Sequence, residues 1–331
     1  VLSWQCLNLK QIFKLNKSTP LDKGVPSCTS EAVLQNRKNA WIQLAGHMGS
    51  FSPAGPHTIW KKRISKENYE MKAYQALMES PATRDIIPEF FCEVEHNGEY
   101  FIEIEDLLYH FKDPNIMDIK MGKRTFLESE VRNPALRKDL YEKMVSVDCM
   151  APTDEERKQK AITKLRYMQV CFSTLLYVMF RVCFTKYREC YVHESSPLIE
   201  LYFQVMNVIS KFLERHPQSI RHILQRLKTI RVKFAESNFF KNHEIIGSSL
   251  LIMYDEVGHS GVWMIDFAKT IPVENGMILH HNLPWQLGNR EDGFLCGLDN
   301  LIKVTLLLTF GDSSLSPHLL FRVWVHQAMT N

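Results

Sequence analysis

Several things that would classify this 331-residue chain quickly are missing from it. Its eight cysteines are scattered, with no CxxC pair and no zinc-like Cys/His spacing, so they read as reduced, mostly buried thiols rather than as a metal module or a disulfide framework. No GxxxxGK[ST] segment occurs, which excludes a Walker-type phosphate loop. The longest apolar run, "VCFSTLLYVMF" at 170–180, stops at Arg181, well short of the roughly 20 residues a membrane-spanning helix needs. No transmembrane segment is expected, no secretory signal opens the sequence, and the expected location is cytoplasmic. An excess of one charge is also lacking: the net charge of +3 gives no argument for nucleic acid as a partner.

The charge that is present is unevenly spread. From Arg157 to Arg166 there are five Lys/Arg and no acid, and "MGKRTF" and "LRKDLYEK" add further basic clusters. Such local fields suit a small polyanion or an anionic surface; a solvated helix face is the plainer meaning of any one run. The segment "DPNIMDIKMGKRTFLESE" at 113–130 holds the sharpest pattern. Read as a strand, it puts Ile116, Asp118 and Lys120 on one face and Met117, Ile119 and Met121 on the other. Two charges on a half-buried face are costly without partners. They form either a buried ion pair or a wet strand end, or else part of a phosphate site.

The order of elements is α+β, with strands grouped and helices segregated. "AWIQLAGHMGSFSPAG" suggests a strand turning at Gly46 and Gly49, and "HTIWKKRIS" a second strand. A helix follows from Ser65, with Tyr74, Leu77 and Met78 at helical spacing before Pro81. Two alternating runs around Asn97-Gly98 form a hairpin with the favoured turn pair. Thr125 with Glu128, and Thr153 with Glu156, have capping-box spacing. Helices are expected over 133–148, with Leu136, Leu140, Met144 and Val147 on one face, and again around 200–235. A second hairpin turns near Gly258, and a last helix spans Glu291 to Leu308.

Three pieces in this order suggest a two-lobed phosphotransferase. A glycine turn precedes Lys62, a strand lysine able to hold ATP phosphates. Glu105-Asp106-Leu107 ends the first hairpin where a hinge could meet an adenine. Asp266 closes the strand "VWMIDF", with Ser248 and Ser249 on the strand before it, an oxygen-rich setting suited to nucleotide-bound Mg²⁺.

"PNIMDIKMG" carries Pro114, Asp118, Lys120 and Gly122 in the pattern PxxxDxKxG, with "GSSLL" at 247–251 and "IDF" at 265–267 as companions. This resembles the inositol polyphosphate kinases. The strings "WIQLAGHMGSF", "LRKDLYEKM", "TKLRYMQ", "FFKNHEIIGSSLL" and "GNREDGFLCGLDNL" resemble their inositol-trisphosphate 3-kinase branch, over roughly 41–169 and 212–303. The resemblance implies a kinase-like, SAICAR-synthase-like α+β core: an N-terminal tail (1–40), a nucleotide-binding N-lobe (41–112), a C-lobe (113–309) with a helical substrate region at about 130–211, and a divergent tail (310–331). It implies ATP held by Ser50, Lys62, Glu105, Asp106, Leu107, Asp118, Ser249 and Asp266, with Mg²⁺ on Asp266. Lys120 and Asp266 would be catalytic. Lys120, Arg137, Lys138, Tyr141, Lys143, Lys164 and Lys269 would bind inositol 1,4,5-trisphosphate, phosphorylated at its 3-hydroxyl. It further implies Ca²⁺-calmodulin binding through Asp139, Leu140, Tyr141, Glu142, Lys143, Met144, Val145, Ser146 and Val147, with Trp41 a further contact.

The resemblance breaks off over 170–211, where the text is unusually apolar and Cys171 stands at the family's arginine position. That departure keeps a second expectation open: a calmodulin-binding or scaffold form with an ATP cleft and an incomplete inositol site. Ala268 also replaces the glycine of the family's "IDFGK".

Overall fold

The computed structural model describes residues 50–63, 69–174, 180–185, 207–213, 216–274 and 276–310. The expected tail 1–40, Trp41, the Gly46–Gly49 turn, most of the apolar segment within 175–206 and the end of the chain lie outside the described residues.

The first lobe is a four-stranded antiparallel sheet of β1 (Phe51–Pro53), β2 (Thr58–Lys62), β3 (Phe90–His96) and β4 (Glu99–Glu105), in the order β1-β2-β4-β3. The β3–β4 turn is the Asn97-Gly98 pair, both at positive φ (53° and 75°), the geometry that sequence favours. Helix α1 (Tyr69–Glu79) buries Ala73, Tyr74 and Leu77 at helical spacing and ends before Pro81.

The second lobe centres on β5 (Asn115–Met121), which is antiparallel to both β6 (Phe180–Thr185) and β8 (Ser249–Tyr254). β9 (Ser260–Ile265) completes the sheet order β6-β5-β8-β9, while β7 (His243–Ile246) and β10 (Lys269–Pro272) form a separate ribbon. Four helices follow β5: α2 (Glu128–Val131), α3 (Lys138–Val147), α4 (Asp154–Gln159) and α5 (Lys164–Thr174). Then come α6 (Pro217–Glu236), α7 (Asn238–Lys241) and α8 (Phe294–Phe310). Ile220, Ile223, Leu227, Ile230 and Phe234 give α6 a buried stripe, and Phe234 stacks on Phe240 and Phe294 at 4.1 and 4.6 Å between centroids. One apolar cluster joins both lobes, with Tyr74 of α1 edge-on to Phe267 at 5.1 Å.

Three expected helix starts move, each for a local reason. Thr125 does not cap α2. That helix begins at Glu128, and Glu130 reaches back to accept from the Leu127 N–H at 3.3 Å. Helix α3 begins at Lys138 rather than near 133, because Arg137 is extended (φ −131°, ψ 124°) and exchanges two backbone hydrogen bonds with Ile162; Leu136 is left exposed. Helix α8 begins at Phe294 because Gly293 takes a positive φ and Asp292 accepts from the Phe294 N–H. Thr153 and Glu156 do form the expected reciprocal cap, at 3.3 and 2.8 Å.

Buried charges brace the floor of the second lobe. Arg124, fully buried, donates to Glu244 (2.6 Å) and to the Phe126, Arg290 and Glu291 carbonyls. Asp292 accepts from the Ile245 N–H and from His281 Nδ1, whose other nitrogen lies 2.8 Å from the Phe240 carbonyl. Burial pulls the His281 pKa down, but the Asp292 carboxylate outweighs it and the net shift is upward. A raised folded pKa contributes stability that is complete below the unfolded value of about 6.5 and is lost as pH rises through the folded value. The melting temperature is therefore expected to fall on the alkaline side of about pH 6.5, by roughly 2–4 °C for each kcal/mol lost. His281→Asn should flatten that limb. An unchanged slope in the variant would show that the pair does not set it.

Candidate nucleotide and phosphate cleft

Strand parity decides which lysine enters the cleft. In β2, Thr58, Trp60 and Lys62 share the face of β4 that carries Glu103 and Phe101, whereas Ile59 and Lys61 share the face of Ile102 and Ile104, which packs inward. Lys62 consequently turns outward and pairs with Glu99. The structure therefore sets the expected Lys62 and its neighbour Lys61 on opposite faces of the strand, as side chains one residue apart must be. Lys61 is the buried cation, donating to Glu70 of α1 at 2.6 Å and to Asp266 at 2.5 Å. Burial opposes its charge, but the Asp266 and Glu70 carboxylates raise its pKa well above the ordinary lysine value. Glu70 was legible too: it precedes Ala73, Tyr74 and Leu77 by three, four and seven residues, on the buried face of α1.

Ser50 sits at the start of the same sheet, its carbonyl accepting from the Lys62 N–H at 2.7 Å. At the end of β4, the Glu105 and Asp106 N–H groups donate to the Glu89 and His57 carbonyls at 2.8 Å each. The Asp106 carboxylate caps the turn that follows by accepting from the Leu108 N–H, and Leu107 is buried against Ile116 and Met253. These residues join the two lobes as a short, fixed crossing.

β5 is buried on both faces, unlike a half-wet strand. Lys120 pairs in register with Ser249, and Asp118 with Leu251. Lys120 Nζ donates to the Gly247 carbonyl at 3.1 Å and stands 4.0 Å from Asp266 Oδ2. Asp118 is buried, and its Oδ1 has no hydrogen-bond partner; Ser249 Oγ is near enough to lower its pKa yet makes no well-formed bond. Burial and the nearby Asp266 charge push Asp118 up to about 6, against the pull of Lys120. Neither simple reading of the Asp118/Lys120 face holds alone: Lys120 has an ionic neighbour, while Asp118 keeps an orphaned acceptor.

Asp266 directly follows β9 at φ +67°, a left-handed position that aspartate tolerates better than most residues. Although burial works against it, Lys61 and Lys120 hold its pKa below the ordinary carboxylate range, and its side chain remains 36% exposed. Two lysines on two lobes thus converge on one partly open carboxylate, beside a second carboxylate with a free oxygen.

The expected acceptor-side cations divide into two groups. Lys164 and Lys269, far apart in sequence, meet on Glu130, at 2.8 and 2.7 Å. Arg137 instead pairs with Asp139, two residues along, and Lys138 and Tyr141 line a separate hollow of about 420 Å³ with Glu142, Lys158, Gln159 and Lys160. Lys143 lies on the exposed side of α3. Along 139–147, the stretch expected to contact calmodulin, Leu140 and Met144 are turned inward onto Ile162 and Val170.

The inositol polyphosphate kinase family profile matches residues 101–306, more than half of the chain. An inositol-trisphosphate 3-kinase homolog of Caenorhabditis elegans is 45% identical over 287 residues, covering 85% of this chain and 58% of that protein. Inositol-trisphosphate 3-kinase A of Homo sapiens is 43% identical over 277 residues, covering 81% and 59%. This chain therefore spans rather less than two thirds of the length of these relatives. Among solved structures, the inositol phosphate multikinase Ipk2 of S. cerevisiae, in complex with ADP and Mn²⁺, aligns over 76% of this chain and 98% of its own at 18% identity and a TM-score of 0.46. The matched span runs from β4 through the DxK strand, the Glu130 clamp and the Asp266 strand end into α8, and on that match the chain belongs to the inositol polyphosphate kinase family.

Proposed function

We propose that this chain transfers the terminal phosphoryl group of ATP to the 3-hydroxyl of inositol 1,4,5-trisphosphate. The observation that carries the reading is the convergence of Lys61 and Lys120 on Asp266 beside the unpartnered Asp118 oxygen, in a chain more than 40% identical to proteins named for that reaction. Lys61, fixed by Glu70, would neutralise nucleotide phosphates. Asp118 Oδ1 would accept from a nucleotide hydroxyl. Lys120 would face the transferring group and the acceptor oxygen, stabilising charge where it develops.

A divalent cation fits the donors present. Asp266 and Asp118 are hard oxygen ligands, and Mg²⁺ is ordinarily held by one or two carboxylates plus substrate phosphates rather than by a protein cage. Among the described residues no group of three or more His, Cys, Asp or Glu side chains is placed to hold a metal ion. Mg²⁺ carried by ATP would supply charge neutralisation on the phosphates. Lys164 and Lys269 would bind an acceptor phosphate, with Arg137, Lys138, Tyr141 and Lys143 as a more distant basic flank. The same reading sets the chain in the cytoplasm, a compartment that supplies ATP. Among the described residues no helix is long and apolar enough to cross a membrane.

The same reading includes Ca²⁺-calmodulin as a partner of 139–147. Leu140 and Met144 belong to a small satellite cluster separate from the main core, so a groove that grips apolar anchors would have to draw α3 off Ile162 and Val170. The test is phosphate transfer from Mg-ATP to inositol 1,4,5-trisphosphate by the purified chain, with and without Ca²⁺-calmodulin. The tetrakisphosphate phosphorylated at position 3 is the expected product. Nucleotide binding by folded protein without that product would overturn the reading.

A further inference from the structure

Asp266 and Glu130 are each clamped by two lysines from different elements. The two clamps are neighbours in the chain, since Lys269 lies three residues beyond Asp266. Asp266 has a role in the proposed chemistry; Glu130 has none. Its Oε2 accepts from Lys164 and its Oε1 from Lys269, so the carboxylate bridges the first turn of α5 and the first residue of β10. Burial works against its charge, yet the two lysines bring its pKa down to about 2, so it is ionised throughout the physiological range. All three side chains are partly open to solvent: Lys164 28%, Lys269 44% and Glu130 30% exposed.

Besides its own bond to the Leu127 N–H, the backbone beneath Glu130 has a second and stronger anchor. Glu128, fully buried two residues earlier, accepts from the Trp285 indole and from the Gly288 and Arg290 N–H groups, which ties α2 in place. Glu130 also has somewhere to retreat, because the Leu127 N–H already donates to its Oε1 at 3.3 Å.

We propose that Glu130 is a placeholder for a substrate phosphate: it holds Lys164 and Lys269 as a paired clamp in the free enzyme, and an acceptor phosphate displaces it from both lysines. This rests on the reading of the site as an inositol phosphate kinase. A lysine pair with no anion between it would repel and lose its fixed spacing; a bridging carboxylate keeps the two ammonium groups aimed at one point. A phosphate brings more negative charge and more acceptor oxygens to the same donors, so it can take them over. A sugar hydroxyl cannot. Glu130 therefore sets a threshold that the arriving group must be a phosphate, and it lowers the affinity even for the correct substrate.

The experiment compares KM for inositol 1,4,5-trisphosphate and for the bisphosphates lacking one of its phosphates, in wild type, Glu130→Gln and Glu130→Asp. Removing the competing charge is expected to lower the Glu130→Gln KM for the trisphosphate by about threefold or more, while leaving unchanged the KM for the bisphosphate that lacks the clamped phosphate. Glu130→Asp, which keeps the charge but shortens its reach, should fall between. A raised or unchanged KM for the trisphosphate in Glu130→Gln, with wild-type turnover normal, would make Glu130 only a brace and overturn this proposal alone. Absence of any turnover by the wild type would overturn the underlying reading and this proposal with it.

Discussion

Lys61→Ala is expected to cut phosphoryl transfer by about 10²–10³-fold, the usual loss when a preorganised electrostatic donor is removed, while Lys62→Ala leaves it within about twofold. The adjacent lysines differ in every physical respect. Lys61 is buried, spans Glu70 and Asp266, and crosses from one lobe to the other. Lys62 is on the far face of the same strand, paired with an exposed carboxylate, where an ion pair contributes little. Removing Lys61 also strands the buried Glu70 carboxylate, and breaking such a pair typically costs about 3–5 kcal/mol. Thermal melting alongside kcat separates lost folding from lost chemistry. Equal damage from both substitutions, at equal stability, would mean that strand parity does not govern the site.

That one-residue displacement shows what could be read from the chain and what could not. The local signal was two-sided: a period of two leads from Ile59 to Lys61 and equally from Trp60 to Lys62. A "KK" pair looks alike from either side until the strand's partner is known, and Ile102 and Ile104 settle which face is inside. Asp118, Lys120 and Asp266 stood in short motifs on strands whose ends are fixed by ladder register, so their meeting was readable. The Lys164–Glu130–Lys269 clamp was half readable. Both lysines were expected at the acceptor, but Glu130 joins residues 34 and 139 positions away, and no local period encodes that closure. The helix starts at 128, 138 and 294 failed for the same reason. They are set by contacts to Leu127, Ile162 and Asp292, not by the propensity of the residues that begin them.

Lys120→Ala and Asp266→Asn should fail in different ways, and the difference tests the division of labour in the cleft. Lys120 Nζ rests on the Gly247 carbonyl and reaches Asp266 only at 4.0 Å, so truncating it leaves the Lys61–Asp266 contact intact. Nucleotide affinity should then stay within about threefold, while turnover falls by about 10²–10³-fold, the pattern of a group that acts mainly in the transition state. Asparagine tolerates the left-handed backbone that residue 266 adopts, so Asp266→Asn should preserve the strand end. It removes, however, the charge that both lysines face and the carboxylate proposed to receive the metal. Metal-dependent nucleotide binding and turnover should therefore be lost together, with Lys61 left to Glu70 alone. Calorimetric titration with Mg-ATP, paired with single-turnover transfer, reads both quantities. Near-normal turnover in Lys120→Ala would remove that lysine from the chemistry. Undiminished Mg-ATP binding in Asp266→Asn would mean that the orphaned oxygen of Asp118, not Asp266, is the metal's anchor.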